Sequence, residues 1–354
     1  MSNVDNQLET GFDISLDFIT EAIGHKIKHA DITAMSHGNS GAVKARVSGE
    51  SSAGMFSVVV KIRKPGLVHK ALWYAGDQRM VDREYFVYEI LDILQVPHAR
   101  VLSRFYNSSD DWGLVLEDLN EHYILPEDSQ HFSQQDQMMI METYAAIHAS
   151  FLKKSSSIST SLLECLQPEE GSQITQETSY FVFATLNDYD ANGYRLSHNE
   201  YLEAVNALLT CRNHWRDEPR TLVFNDFDAE NVALPRTSDG SAVLFDWELA
   251  GTALPQFDLI NTGHGNVPNL DPAASHYVDC LRRNGVEIDQ EKFIGGMKYA
   301  ALSMNFYALW LLHLKLSADP QGKLPKWMIM TAETLFNGGL IRSAVDAMQF
   351  KIKP

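Results

Sequence analysis

Between Leu222 and Asp258 the chain reads LVFNDFDAENVALPRTSDGSAVLFDWELAGTALPQFD, and this stretch limits the possible folds more than any other. The apolar run Leu222, Val223, Phe224 gives way to Asn225-Asp226-Phe227, with Asn231 five residues after Asp226. A second apolar run, Ala242 to Phe245, leads into Asp246, Trp247 and Glu248. Short buried-strand signals on either side of the Asp-, Ser- and Gly-rich segment Thr237 to Ser241 predict a tight hairpin. Such a hairpin brings Asp226, Asn231 and Asp246 to one end. A carboxylate, an amide and a second carboxylate then converge on hard-oxygen chemistry.

Phosphoryl transfer needs such a set. One Asp accepts the proton of an attacking hydroxyl, while an Asn and a second Asp hold Mg2+ against nucleotide phosphates. The Asp-x4-Asn spacing, followed by an Asp after a β-run, has the form of a protein-kinase-like catalytic loop and metal-binding Asp. The wording DWELAGTALPQFDL resembles the aminoglycoside phosphotransferase and choline-kinase-like family, whose members often read Asp-Trp-Glu and then Pro-x-x-Asp-Leu. The same residues also suit an ordinary hairpin with polar groups at its mouth.

The resemblance implies an α+β, two-lobed, protein-kinase-like fold. A small antiparallel sheet with one key helix forms the N-terminal nucleotide-binding lobe, residues 1–119. A larger, mainly helical lobe, residues 120–354, carries the hairpin 222–248 and a substrate cleft. The length of 354 residues suits two lobes of roughly 120 and 230. In roles, the resemblance makes Asp226 the base, Asn231 and Asp246 the Mg2+ ligands, and ATP or GTP the phosphate donor.

The chain in order supports this layout. Residues 13–28 carry a helical apolar spacing, and 29–63 change to strands around a turn holding Gly38, Ser40 and Gly41. Small residues there would let backbone N–H groups approach phosphates, although a plain hairpin explains them too. Met55 to Ile62 is strongly β-branched and contains Lys61, costly on a central strand unless paired or phosphate-bound. The helix predicted over Asp82 to Leu94 offers Glu84 and Glu89 as partners, and the resemblance favours Glu84. Strands at 99–106 and 112–118 complete five. The wording Leu116-Glu117-Asp118-Leu119 resembles the family's hinge, whose backbone near Glu117, Asp118 and Leu119 would hydrogen-bond the adenine.

Beyond Asn120 the pattern is helical. Gln134 to Leu152 is a long amphipathic helix with His148 on its packed face. A Ser-rich connector at 153–175 reads as a loop, and two helices are expected at 180–186 and 201–209. Between them, Asn187 to Gly193 resembles half a calcium loop but has His198 where the closing Glu belongs. In the near-continuously apolar Lys298 to Lys315, the side chains of Asn305, Tyr307, Trp310 and His313 serve either the core or a cleft wall.

The net charge of -17 argues against nucleic acid, which requires clustered Lys and Arg. It suits a small hydroxylated, cationic or neutral substrate, and equally serves solubility alone. No apolar run reaches about 18 residues, so no membrane span is expected. The polar N-terminus lacks a secretion signal, and three scattered cysteines imply neither disulfides nor a metal spacing. A reducing cytoplasm is the expected compartment; oligomeric state is unread. One departure stands out: Phe224-Asn225-Asp226 replaces the family's usual His-Gly-Asp. That leaves a nucleotide-binding pseudokinase as the alternative to a working small-molecule kinase. A protein kinase fits less well, since His-Arg-Asp, Asp-Phe-Gly and Ala-Pro-Glu are missing from their expected places.

Overall fold

A computed structural model describes residues 15–35, 42–63, 80–108, 111–126, 132–169, 172, 174, 175, 178, 198–226, 229–237, 240–262, 271–318 and 339–348. The turn bearing Ser40, the helix expected at 180–186 and the Asn187 to Gly193 stretch lie outside the described residues, as does the His313 side chain. The chain divides into two compact units. The first is Met1–Phe132, Ile158–Cys165 and Asp228–Leu249; the second is Ser133–Ser157, Leu166–Phe227 and Ala250–Pro354.

In the first unit, α1 (Leu16–Ile23) falls inside the segment 13–28 and ends on Ile23, the last residue of its apolar spacing. Gly24 takes a left-handed φ of 68° and returns its N–H to the carbonyls of Thr20 and Glu21, which caps the helix. The strands β1 (Ile27–Ala34), β2 (Val43–Ser51), β3 (Gly54–Arg63), β4 (Val101–Ser108) and β5 (Asp111–Glu117) follow, with α2 (Met80–Leu94) between β3 and β4. They form one antiparallel sheet in the order β1-β2-β3-β5-β4.

Alternation gives that sheet two unlike faces. Val43, Ala45 and Val47 on β2 and Val58, Val60 and Ile62 on β3 bury themselves with Ile19, while Phe18, Ala22 and Ile23 of α1 lie against them. Each such Val or Ile contributes about 1.5–3 kcal/mol on burial. On the opposite face the same strands present Lys44, Arg46, Val59 and Lys61, with Leu114 and Leu116 from β5 in register.

The hairpin differs from expectation. Its arms are β9 (Val232–Pro235) and β10 (Val243–Leu244), paired Val243↔Ala233 and Leu244↔Val232, with β6 (Tyr123–Ile124) on the far edge of β9. Leu222 and Val223 belong instead to β8 (Thr221–Val223), which pairs with β11 (Gly251–Ala253) in the second unit. The nearer apolar run wins because closing a short turn costs less chain entropy than reaching back to Leu222. Leu222 and Val223 are fully buried in the other unit, where β7 (Gln167–Pro168) completes a three-stranded sheet with β11 and β8.

The second unit is mainly helical. Its α3 (Gln134–Lys154) begins with a capping box in which Ser133 and Asp136 satisfy each other's backbone N–H. The connector expected as a loop contains short elements, among them α4 (Thr160–Leu163), whose N-cap Ser159 accepts from the Leu162 N–H. This α4 belongs to the first unit. Further helices are α5 (His198–His214), α6 (Gln256–Thr262), α7 (Asp271–Arg283), α8 (Gln290–Ala318) and α9 (Leu340–Asp346). Among the described residues, no helix is long and apolar enough to cross a membrane.

Candidate active site

Register alone places Lys44 directly opposite Lys61 on the ionic face of the sheet. Like charges across a rung repel, so an anion must lie between them. Asp246, delivered by the hairpin, supplies it: one carboxylate oxygen lies 2.9 Å from the Lys61 ammonium, and the other bonds Lys44. Glu84 on α2 approaches Lys61 from behind at 2.5 Å. Glu89, the other candidate, is exposed. The quartet, buried except for the half-buried Asp246, therefore balances two ammoniums against two carboxylates.

Burial alone would push the Lys61 pKa down. Asp246 and Glu84 more than offset this and hold it well above the ordinary lysine value. Asp246 shows the converse: burial would raise its carboxyl, yet Lys61 and Lys44 keep it below the usual carboxylate range. Burial lifts Glu84 somewhat, against the pull of Lys61. Lys61 is thus an ammonium and Asp246 a carboxylate at any ordinary pH.

Asp246 takes a left-handed φ of 68°, a conformation that Asp tolerates better than bulkier residues. At the hairpin's mouth the Phe245 N–H donates to the Asn231 carbonyl at 3.1 Å, tying Asn231 to the residue before Asp246. A cavity within the first unit has three walls. Lys44, Arg46, Val59 and Lys61 form one; Leu116, Glu117, Asp118 and Leu119 the second; Asn231, Phe245 and Asp246 the third. Its lining mixes charged groups, among them Lys44, Arg46, Lys61 and Asp246, with the apolar side chains of Val59, Ala99, Leu116 and Leu125.

The hinge-like wall is stiff. Asp118 receives Ser57 Oγ at 2.6 Å, Arg46 Nε at 2.8 Å, and both the backbone N–H and the side-chain amide of Asn120. Burial raises its pKa, but these four donors together bring it below the ordinary value. The Glu117 N–H is committed to the Arg100 carbonyl at 3.0 Å, and the Leu119 carbonyl to the His122 N–H at 3.2 Å. The Asp118 carboxylate therefore serves as a brace. Any ligand edge must use the backbone groups that remain.

Asp226 falls in the second unit, half-buried and directly after Asn225, which adopts a left-handed φ of 61°. Asp258, within the Pro-x-x-Asp-Leu wording, fixes the approach to it. Its carboxylate accepts the Phe224 N–H at 2.9 Å and 3.0 Å on its two oxygens, and the Asn225 N–H at 3.0 Å. His148 Nε2 lies 3.0 Å from the same carboxylate, and its Nδ1 lies 2.6 Å from the Tyr277 hydroxyl. Burial first, and then Asp258, push the Tyr277 phenol pKa well up, so the hydroxyl keeps its proton and donates to Nδ1. Nε2–H then donates to Asp258, which fixes the tautomer.

Of the residues expected from sequence, Lys61, Glu117, Asp118, Leu119, Asn231 and Asp246 line one cavity, with Glu84 behind Lys61. Sequence reasoning missed Lys44 and Arg46. The signal was present in Val43-Lys44-Ala45-Arg46-Val47, where alternation puts two cations on the face shared with Lys61. Reading it required knowing that β2 is a central strand. A further grouping was invisible in sequence: ligand atoms of Glu142, His276 and Cys280 lie within 4.8 Å of one another. Arg283 bonds both Glu142 and Cys280 there, so a guanidinium already balances that cluster.

A family model described as "Phosphotransferase enzyme family" matches residues 31–279. No curated protein sequence matches the chain. Among solved structures, an ethanolamine kinase of Plasmodium vivax superposes with a TM-score of 0.56 at 15% identity, over 94% of this chain and 86% of the other. A choline kinase from Streptococcus pneumoniae gives 0.52 at 14%, over 92% and 98%. The enzyme APH(2")-IIa, solved as a ternary complex with streptomycin and ATP, gives 0.52 at 14%, over 96% and 99%. At such identities the likeness is one of fold.

Proposed function

The chain belongs to the phosphotransferase enzyme family, and on that footing we propose that it moves the γ-phosphate of ATP or GTP onto a hydroxyl of a small molecule. The observation that carries this reading is the Lys61–Glu84–Asp246 constellation in the wall of a cavity that Asn231 also lines. Its donor chemistry suits both guests. Asp246 holds its charge and already faces two cations, and Asn231, which lines the same cavity, would add a second hard oxygen, as Mg2+ requires. When bound, Mg2+ would neutralise charge on the phosphate oxygens.

The chain's own residues divide the remaining work. Lys61, held by Glu84, presents an ammonium to the α- and β-phosphates. The apolar surfaces of Val59 and Leu116 receive the base, and backbone groups between Glu117 and Leu119 bond its edge. Asp226 orients the acceptor hydroxyl and takes its proton. Positioning and electrostatics supply most of the barrier reduction. A cationic acceptor suits the net charge of -17. The names of the structural relatives point the same way, since ethanolamine, choline and streptomycin are hydroxylated cations.

Thermal unfolding with a non-hydrolysable ATP analogue and Mg2+, on wild type and Asp246→Ala, tests the nucleotide site. A ligand that binds only the native state raises the midpoint by mass action. A magnesium-dependent rise in the wild type, absent from the variant, is expected. Phosphate transfer to hydroxylated amines then separates an enzyme from a pseudokinase, which would bind without turnover. Asp226→Asn should cost on the order of 10²–10⁴ in turnover; full activity in that variant would remove the base role.

A further inference from the structure

Lys61 has two carboxylates, Glu84 and Asp246, whereas the one ion pair of Lys44 among the described residues is with Asp246. Both ammoniums are buried, Lys44 at 9% and Lys61 at 4% exposure, and both line the same cavity. Resting on the nucleotide reading above, we propose that Lys44 is a second phosphate-binding lysine. It holds Asp246 in the ligand-free protein and passes to the polyphosphate when nucleotide is bound.

Charge balance carries the inference. Lys44, Lys61, Glu84 and Asp246 sum to zero as the structure stands, which is how four ionised groups tolerate a shared buried site. If Asp246 turns to a metal ion, Lys44 loses its anion, and a buried ammonium without a partner is costly. The arriving polyphosphate is the compensating anion, at the same end of the same cavity. Lys61 has no need to move, because Glu84 keeps it anchored. Arg46, the other cation on this face, is held by Asp118 and cannot take the part as easily. A lysine suits a shuttling role, being a compact charge on a flexible stem. Lys44 therefore discriminates between nucleotides by phosphate content while ignoring the base.

The experiment compares equilibrium binding of a magnesium-bound, non-hydrolysable ATP analogue with that of adenosine, on wild type, Lys44→Met and Lys44→Arg. In Lys44→Met the analogue should bind roughly 10- to 100-fold more weakly, the scale of one lost charge-assisted hydrogen bond, with adenosine binding unchanged. Lys44→Arg should recover part of the loss. Mn2+ alone, followed by paramagnetic resonance, should bind Lys44→Met more tightly than wild type, since one oxygen of Asp246 is released. An unchanged ratio of triphosphate to adenosine affinity in Lys44→Met overturns the proposal while sparing the nucleotide reading. Wild type that binds neither ligand sinks both. If Lys44→Met does not fold, Lys44→Gln keeps a donor toward Asp246, removes only the charge, and is held to the same ratio.

Discussion

Asp246 and Asp258 sit on the same short stretch of chain, one half-buried and the other buried, and they serve opposite ends. Asp246 is 14% exposed at the side chain, faces a cavity, and is balanced by two mobile-stemmed ammoniums. Asp258 is 1% exposed at the side chain and is satisfied by two backbone N–H groups and an imidazole. Partners that can be exchanged leave a carboxylate available to a ligand. Backbone partners turn it into a fastener. Family wording alone ranks the two Asp residues equally; their hydrogen bonds do not.

The largest contrast should appear on replacing each in turn. Asp246→Asn keeps the shape and loses the charge. It should lower phosphotransfer by on the order of 10²–10³, with the magnesium-dependent thermal shift gone and the fold retained by circular dichroism. Asp258→Ala should instead strip acceptors from three buried donors, at about 1–3 kcal/mol each. Urea unfolding would read this as a midpoint well below that of Asp246→Asn. An Asp258→Ala protein with an unaltered midpoint, or an Asp246→Asn protein that unfolds first, breaks the comparison.

Acid sharpens it. Lys61 and Lys44 hold the folded pKa of Asp246 below its unfolded value near 4. Its contribution to stability is therefore complete above about pH 4 and is lost as pH falls through the folded value. Lys61 runs the other way. Its folded pKa is raised, so its share is complete below about pH 10 and is lost as pH rises through the folded value. Urea midpoints taken from neutrality down to about pH 2 should fall more gently in Asp246→Asn than in wild type. The smallest effect belongs to the far end of the fastener. Tyr277→Phe removes the donor to His148 Nδ1 and should cost about 1 kcal/mol of stability, with nucleotide affinity untouched.

Much of this is legible in the sequence. Lys61 announced itself as a charge on a β-branched strand and Asp246 as a carboxylate closing an apolar run, whereas the choice of Glu84 over Glu89 came from the family resemblance. Where reading failed, the cause was non-local pairing. Leu222 and Val223 look like a hairpin arm, and their true partners Gly251 to Ala253 lie beyond the hairpin that Ala233 and Val243 close. Lys44 escaped for a similar reason, since an alternating Val-Lys-Ala-Arg reads as a strand with one wet face until a second sheet neighbour is known. Phe224 reads as a defect against the family's His. The structure shows its N–H and that of Asn225 gripped by Asp258, so the approach to Asp226 is fixed without that imidazole.

The turn between β2 and β3 is Ser52 and Ala53 alone, with Gly54 at a φ of 128° opening the return strand. From Val43↔Ile62 to Ser51↔Gly54 every rung joins an odd-numbered residue to an even-numbered one. That parity is what lets Lys44 and Lys61 share a face. A one-residue slip would pair odd with odd, sending one lysine among Val58, Val60 and Ile62 and leaving the other without its counterpart. The tip of this hairpin thus works as a checksum on the cavity. The letters at Ser52 and Ala53 matter less than their number, which cannot change by one.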